Sequence, residues 1–315
     1  MANNPYSNFY LENTIEDQYN SHLDLARFCT VDNTLTGTAG MIKKIHKYSA
    51  TNGTQKLTLG NGNTQTIEAG YTEVDYTILL AQNRFVYYDE EAMADPMIVP
   101  VGMKHAGTDM FNTVNADIFA EYNKATRVLP IAAISFSAFV DAVAMLNLEQ
   151  IEGVEIFAFV NAADMAAVRK ALKDDLKYNE SFSRSGYVGT VAGVNLYTKK
   201  DAVTGTIIVG MRQAVTLFNK KGVEVEQNTL GSGRSADDAN VRKNTIHSRK
   251  YYLAALTDER YAVKIMVGAT ATACPSTETT VDATKTYYAK SDAGYIKVTP
   301  ASGDNPYTKG WYTIA

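Results

Sequence analysis

The sequence is poor in the residues that metal and redox sites require. Its 315 residues include two cysteines, Cys29 and Cys274, and four histidines: His22, His46, His105 and His247. The two cysteines match no metal or redox spacing, and so small a number excludes a disulfide framework. No histidine lies within five residues of another, which excludes a helical histidine pair for zinc. The sequence therefore predicts neither a metal site nor a cofactor.

The chain also lacks an excess of positive charge and any long apolar run. Its 30 Lys and Arg residues against 34 Asp and Glu residues give a net charge of -4. A protein that relies on phosphate contacts usually carries a basic excess, so nucleic-acid binding is not expected as the main activity. No run of 18 apolar residues occurs and the first residues are polar, so neither a transmembrane helix nor a signal peptide is expected.

Catalytic motifs are missing as well. No Gly-x-Ser-x-Gly elbow occurs, and the acidic pairs are sequence neighbours, which do not share a helix face. The segment Gly231-Ser232-Gly233-Arg234-Ser235 lacks the Gly-Lys-Ser/Thr ending of a phosphate loop, so a mobile loop is expected there. The sequence predicts no catalytic residues.

The most informative segment that is present lies between two predicted strands, Met41 to Tyr48 and Tyr71 to Tyr88. Lys56-Leu57-Thr58-Leu59 and Thr66-Ile67-Glu68-Ala69 alternate around Gly60-Asn61-Gly62-Asn63, and Asn-Gly is a strong hairpin signal. This pattern predicts a long polar finger of two strands.

Such a finger is barely stable alone. Ordering roughly 20 residues costs about 1–2 kcal/mol each in backbone entropy. Four apolar side chains return only about 1.5–3 kcal/mol each. The finger therefore needs a neighbour, for which another chain is the favoured candidate; the alternative is a mobile surface loop. The candidate contact residues here are Lys56, Leu57, Leu59, Asn61, Gly62 and Ile67.

Residues 1–40 are predicted to form an extended arm, which must pack against another surface to be stable. Thr14 can cap a short helix with Asp17 as its capping-box partner. Ile15, Tyr19, Leu23 and Ala26 follow at helical spacing. A lone helix of three turns is marginal in water, so Tyr19 and Leu23 are further candidate contact residues.

The middle of the chain reads as a mixture of helices and strands. A long helix is predicted over 103–125, with Met110, Val114, Ile118 and Tyr122 as its apolar stripe and Phe111 and Phe119 beside it, ended by Pro130.

An α/β region over 131–227 contains a helix from Ser135 or Ser137 with its face at Phe136, Phe139, Val140, Val143 and Leu146. A buried strand, a helix capped by Asn161, a hairpin over Tyr187 to Tyr197 that turns near Ala192-Gly193, further strands and a turn at 220–222 follow. A hairpin over 246–267 is expected to pack against the long helix.

The composition changes after Gly268. Residues 269–283 are rich in Thr and Ala and indicate a linker. In residues 284–315, Thr284-Lys285-Thr286-Tyr287-Tyr288 is echoed by Thr308-Lys309-Gly310-Trp311-Tyr312. The paired aromatics favour a small β appendage separate from the main core, and an unstructured tail is the alternative.

Several stretches resemble one family. Val31-Asp32-Asn33-Thr34-Leu35 through Gly37-Thr38-Ala39-Gly40-Met41 is similar to the segment before the extended loop of tailed-phage major capsid proteins. Similar matches occur at Gln82-Asn83-Arg84-Phe85, Tyr87 to Glu91 and Asp95-Pro96, and at Arg249 to Leu253 with Tyr261 to Lys264. The resemblance to this Hong Kong 97-like family covers roughly residues 5–268.

The resemblance implies an α+β Hong Kong 97-like fold. Residues 1–40 would be the N-terminal arm, 41–92 the extended loop, 93–130 with 241–268 the peripheral domain with its spine helix, and 131–240 the axial domain. Residues 269–283 and 284–315 would be the added linker and appendage. Any scaffolding segment is expected to be a separate protein or already removed, and no cross-link is assigned to Lys56.

The resemblance also implies a function. The chain would be a non-enzymatic shell subunit that forms pentamers and hexamers around packaged double-stranded DNA without sequence-specific binding. Scaffolding, portal and decoration proteins are possible partners, no membrane is involved, and the virion is the expected location after synthesis in the bacterial cytoplasm.

Three alternatives stay open at this point. An encapsulin-like compartment shares the fold class and would enclose a cargo enzyme rather than DNA. A soluble α/β enzyme with an unrecognised site would be a stable monomer. A phage tail or decoration protein would suit the C-terminal part better than the whole chain.

Overall fold

The computed structural model describes residues 23–36, 40–51, 53–146, 154–173, 189–228, 234–292 and 294–315, apart from the side chains of residues 46–49 and 72. The chain divides into two compact units. The first comprises residues 1–31, 100–217 and 254–315, and the second comprises residues 32–99 and 218–253. Each unit is therefore assembled from segments that are distant in sequence.

The described helices are α1 (Asp89–Ala94), α2 (Ile98–Tyr122), α3 (Phe136–Leu146), α4 (Ala162–Ala171) and α5 (Ala236–Asn240). The strands up to the middle of the chain are β1 (Thr30–Asp32), β2 (Ile42–Ala50), β3 (Ala69–Thr77), β4 (Leu79–Tyr88), β5 (Arg127–Ile131), β6 (Ile156–Val160), β7 (Thr190–Val191), β8 (Val194–Thr198) and β9 (Thr206–Met211). The later strands are β10 (Val215–Asn228), β11 (Lys243–Leu256), β12 (Ala262–Val267), β13 (Ala271–Ala273), β14 (Tyr288–Ser291), β15 (Gly294–Lys297) and β16 (Tyr312–Ile314).

The first unit is built on a ten-stranded sheet in the order β13-β16-β14-β15-β5-β12-β9-β6-β8-β7. Its main core lies between the sheet and helices α3 and α4, and includes Phe139, Val168, Val209 and Val263. β12 occupies a central position, parallel to β5 and antiparallel to β9. In this strand Ala262, Val263 and Ile265 are buried, whereas Lys264, Met266 and Val267 are only partly buried.

The long helix predicted over 103–125 is present as α2. Its predicted stripe Met110, Val114, Ile118 and Tyr122 is buried, together with Asn115 and Phe119. The helix begins five residues earlier and ends three residues earlier than predicted, and Phe111 is 37% exposed. Pro130 lies inside strand β5 and therefore does not mark the end of the helix. Among the described helices, none is long and apolar enough to cross a membrane.

The predicted face of α3 is rotated relative to the observed one. The buried residues are Ala138, Phe139, Ala142, Met145 and Leu146, whereas Phe136 and Val140 are exposed. The two alanines recur at a spacing of four, and their small side chains let the helix approach the sheet closely. Phe139, Leu146 and the partly buried Val143 belong to the core as predicted, whereas Phe136 and Val140 do not.

The capping and turn predictions in this unit are confirmed. The Asn161 side chain accepts a hydrogen bond from the Ala163 amide at the start of α4. Ala192 and Gly193, with φ of 50° and 80°, make the predicted turn between β7 and β8. Two positive φ values are typical of the tight turns that match the twist of the flanking strands.

In the second unit the strand predictions need three corrections. The single strand predicted from Tyr71 to Tyr88 is broken at the buried Ile78 into β3 and β4. β10 continues through the turn predicted at 220–222, because it is paired within the four-stranded sheet β1-β10-β11-β4. β11 and β12 do not form the predicted hairpin, since β11 pairs with β4 and β12 lies in the ten-stranded sheet.

The C-terminal module, defined as residues 271–315, is a β structure as predicted. It begins inside the predicted linker, because β13 pairs with β16 and the buried Cys274 packs near Tyr287 and Trp311. It is also joined to the main sheet, since Tyr295 of β15 pairs with Val128 of β5. The module therefore has a hydrophobic cluster of its own, but its strands are not separate from the main sheet.

Candidate functional site

The base of the predicted finger is a regular two-stranded ladder. β2 and β3 pair antiparallel from Ile42 opposite Thr77 to Ala50 opposite Ala69. Lys44 of β2 is 3.7 Å from Asp75 and also contacts the Glu73 carboxylate, and the Glu73 hydrogen bond raises the pKa of Lys44. The base of the finger therefore has a defined register, held by the backbone and by charges on one face.

The outer part of the finger, residues 51–68, does not form the predicted alternating strands. The Thr51 amide donates to the Glu68 carbonyl at 3.0 Å. Beyond that bond, the Thr64 amide donates to the Gln55 side chain at 3.2 Å. The Asn63 side chain donates to the Gly53 carbonyl at 2.8 Å. Polar side chains compete here for the backbone groups that a ladder would pair.

The turn of the finger is displaced by two residues from the predicted Asn61-Gly62 centre. The Asn61 amide donates to the Thr58 carbonyl at 3.1 Å, which closes a turn around Leu59 and Gly60. Gly60 has a φ of 92°, the left-handed value that a turn of this kind requires at its third residue. The Asn61 side chain is bound to the Thr58 hydroxyl at 2.7 Å, and the space around Gly62 is open.

The finger carries apolar side chains that its own unit does not cover. Leu59 at the turn is fully exposed, and Leu57 and Ile67 are 47% and 60% exposed. Lys56 is exposed beside them. The sequence pattern did not single out the further exposed apolar residues at the base of the finger, Met41, Ile42 and Tyr71. Ile42 and Tyr71 lie on the same face of the β2–β3 ladder, a placement that strand alternation indicates.

The segment leading into the finger is fastened within the second unit. Lys43 of β2 donates to the Thr34 hydroxyl at 2.6 Å and lies 3.5 Å from the Asp32 carboxylate. Lys220 of β10 donates to the Leu35 carbonyl at 3.1 Å. These contacts anchor the root of the finger, so its outer part extends from a fixed base.

The two candidate contact residues of the arm have different outcomes. Tyr19 and the start of the predicted helix lie outside the described residues. Leu23 is not helical: a short 3-10 helix, Leu25–Phe28, begins after Asp24, whose side chain accepts from the Ala26 amide. The Leu23 carbonyl accepts from the Asn115 side chain of α2 at 3.0 Å. Leu23 is therefore fastened to α2 of its own unit, and an intermolecular role for any of the eight candidates stays a prediction.

Arg234 from the glycine-rich loop has a structural role. Its guanidinium, 7% exposed, donates to the Asp89 carboxylate at 2.7 Å and also contacts the Asn244 side chain. The Arg234 hydrogen bond holds the pKa of Asp89 below its usual range. This network connects the start of α1 to β11. Because the Arg234 guanidinium is already paired with Asp89, its charge is not available to a phosphate.

The described residues contain no cluster that could hold a metal, meaning three or more His, Cys, Asp or Glu side chains together. Cys29 is buried, and this burial raises the pKa of its thiol to about 12. A thiol with so high a pKa is a poor nucleophile at neutral pH.

The sequence matches no family model. It also matches no curated protein. Solved structures, by contrast, resemble the fold over most of its length. The mature capsid of bacteriophage PhiM1 matches with a TM-score of 0.63 at 11% identity, over 83% of this chain and 92% of that chain. The capsid of the cyanophage P-SCSP1u gives 0.62 at 12% identity, over 83% and 93%.

A chain from Mycobacterium phage Che8 gives a TM-score of 0.59 at 17% identity, over 84% of this chain and 98% of its own. Identities this low carry information about the fold alone. The chain therefore has the α+β Hong Kong 97-like fold of the tailed-phage major capsid proteins.

Proposed function

We propose that this chain is the major capsid protein of a tailed phage, a structural subunit that assembles into pentamers and hexamers of an icosahedral shell. The observation that supports this proposal most directly is the shared fold over more than 80% of the chain with phage capsid structures. The role is structural rather than catalytic.

The finger supplies the contact in this proposal. Leu57, Leu59 and Ile67 are held in water on a loop with few internal backbone bonds. Burying side chains of this size is worth about 1.5–3 kcal/mol each, so covering three of them favours association. The finger would lap onto the neighbouring subunit and lose its exposed apolar surface there. Head-to-tail contacts of this kind close into rings.

The same proposal covers the domains, the contents of the shell, the partners and the location. Residues 131–240 would be the axial domain and residues 93–130 with 241–268 the peripheral domain. The shell would enclose double-stranded DNA without reading its sequence, with separate scaffolding, portal and decoration proteins as partners. The protein would be made in the cytoplasm of the bacterial host and reside in the virion.

The test compares shells formed by the intact chain with those of two finger variants. One lacks residues 54–68, and the other carries Leu57→Ser, Leu59→Ser and Ile67→Ser. A control with Val203→Ser changes a side chain that is 66% exposed in the other unit. Electron microscopy and size-exclusion chromatography should show shells for the intact chain and the control, and unassembled protein for the finger variants.

Two outcomes of this experiment would count against the proposal in different ways. Normal shells at full yield from both finger variants would refute the role of the finger while leaving the shell function in place. An intact chain that stays monomeric under every assembly condition would refute the shell function itself.

A further inference from the structure

The C-terminal module extends the main sheet and creates a face made of lysine and tyrosine. Between β16 and β14, Tyr312 pairs with Tyr288. Between β14 and β15, Tyr288 pairs with Lys297 and Lys290 pairs with Tyr295. Residues directly opposite each other on paired strands point to the same side of a sheet. Tyr295 in turn pairs with Val128, which pairs with Lys264 of β12. The lysine–tyrosine face consists of Tyr288, Tyr295, Tyr312, Lys264, Lys290 and Lys297.

The opposite side of the module holds its core. Tyr287 and Trp311 precede Tyr288 and Tyr312 in the chain, and both are buried with Cys274. Their ring centroids are 5.7 Å apart. Because successive residues of a strand alternate sides, burying these two rings directs Tyr288 and Tyr312 to the other side. The lysine–tyrosine face is therefore a consequence of the module's core, with a geometry set by the sheet.

The charges of this face are not balanced. No Asp or Glu occupies the register positions of the face. Within the part of the chain that the structure describes, the side chains of Lys264, Lys290 and Lys297 have neither an ion pair nor a hydrogen bond. The whole chain has a net charge of -4, so this face is more positive than the chain as a whole.

Lys264 shows that this charge has an energetic cost. Burial lowers the pKa of Lys264, and the neighbouring charge of Lys297 lowers it further. A half-buried ammonium group beside a second one destabilises the isolated chain, and an anion bound between them would remove that penalty.

The three tyrosine rings of this face form a surface on which the flat rings of a ligand can stack. Tyr295 and Tyr312 contact each other at a centroid distance of 5.2 Å, with their planes at 64°. All three tyrosines are partly buried, so neighbouring side chains restrict their rings before any ligand arrives. The face spans the spacing from β16 to β12, roughly 19 Å for four adjacent strand pairs.

We propose that the lysine–tyrosine face binds single-stranded nucleic acid. Unstacked bases lie on aromatic side chains while lysines contact the phosphates, and both elements are present on this face. A duplex would offer phosphates but no free base faces. A polyanion without rings would use the lysines and leave the three tyrosines without a role. Neither of these ligands explains the whole face.

The test measures binding of a fluorescein-labelled oligo(dT) of about 15 nucleotides to the full-length protein by fluorescence anisotropy at low salt. Tyr295→Leu and Tyr312→Leu should each weaken binding about tenfold, since each removes a stacking ring. Lys290→Gln and Lys297→Gln should each reduce the slope of log affinity against log salt by about 0.7.

Matched controls come from the same module. Tyr307→Leu and Lys309→Gln make the same chemical changes at exposed residues outside the face, and both should bind like the unchanged protein. Trp311 fluorescence verifies that each variant keeps a folded module.

Three results would overturn the inference. The first is an absence of oligonucleotide binding at low salt. The second is binding that inorganic polyphosphate or a duplex matches in affinity and that the tyrosine variants leave unchanged, because it would reveal a general anion site. The third is a loss of binding in the control variants equal to that in the face variants.

Discussion

Among single residues, Tyr122 connects several segments of the first unit. Its hydroxyl is fully buried and lies 2.7 Å from the Phe28 carbonyl oxygen and 3.2 Å from that of Met211. Its ring contacts Phe157 and Phe159 at centroid distances of 5.7 Å and 5.6 Å. Burial raises the pKa of this phenol, so it stays protonated and donates a hydrogen bond. The residue thus connects the end of α2 to the segment before β1 and to β9.

We expect Tyr122→Phe to lower the free energy of unfolding by about 1–3 kcal/mol, the cost of leaving a buried carbonyl unsatisfied. Tyr307→Phe removes a hydroxyl from a half-exposed ring and should change little. Urea denaturation of both variants measures the difference. Equal stabilities would show that the Tyr122 hydroxyl contributes nothing beyond the packing of its ring.

The two cysteines are predicted to be inert in the folded chain. Cys29 is fully buried with a pKa of about 12, and burial also raises the pKa of Cys274. Since the thiolate is the reactive form, neither should react with DTNB at neutral pH until the protein unfolds. Counting released thiolate before and after adding urea checks this. Rapid reaction of one thiol in the native state would show that its surroundings open locally.

At the scale of elements, the C-terminal module has its own polar support. The Tyr287 hydroxyl donates to the Glu278 carboxylate at 2.6 Å, and Lys285 donates to the same carboxylate at 2.9 Å. The Tyr287 hydrogen bond, followed by Lys285, holds the pKa of Glu278 below its ordinary value of 4.5. Tyr287 also accepts from the Asp282 amide at 3.0 Å, which ties the loop before β14 to the module.

This geometry predicts that acid loosens the module. A carboxyl with a depressed folded pKa stabilises the fold above its ordinary pKa of 4.5, and that contribution is lost as pH falls through the folded pKa. Trp311, the single tryptophan, should report the change by its fluorescence. Glu278→Gln should make the Trp311 fluorescence depend less on pH in the acid range. The part of the dependence that is due to Asp282 should remain, because hydrogen bonds from Thr284 lower the pKa of Asp282. An identical acid profile in that variant would exclude Glu278 as the cause.

The joint between the module and α3 depends on Gly294. A Cβ at this position would lie 2.5 Å from the Met145 sulfur and 3.1 Å from the Val128 carbonyl oxygen. Met145 can turn away, but the backbone of β5 cannot, so Gly294→Ala should destabilise the protein by about 1–3 kcal/mol. Gly222→Ala, with open space around it, is the matched control. Thermal unfolding followed at Trp311 distinguishes them, and equal melting temperatures would contradict this close contact.

At the scale of the whole molecule, the C-terminal module covers an edge of the main sheet. β15 pairs with β5, whose Val128 is buried at 3% exposure. Ending the chain after residue 268 would therefore expose an unpaired strand edge, which promotes aggregation. We expect less soluble protein from this truncation than from the full chain, measured by ultracentrifugation of lysates. Full yield and unchanged stability would show that the module is dispensable for the fold.

Local sequence patterns predicted several elements well, each for a local reason. The stripe of α2 follows from a helical period, the start of α4 from the Asn161 cap, and the β7–β8 turn from Ala192-Gly193. The finger was located correctly, although its turn and its outer strands were not. The resemblance to phage capsid proteins correctly indicated the fold, whereas the domain boundaries and the interface role of the finger stay predictions.

What the sequence by itself determined is therefore the set of short-range features: the long helix, the exposed finger and the absence of metal and catalytic motifs. Tertiary structure decided which strands are partners. β11 and β12 are neighbours in sequence yet lie in different sheets, and the C-terminal module joins β5. The physical reason is that strand pairing depends on backbone groups that every residue shares. The choice of partner is then made by burial across distant segments, which local patterns do not record.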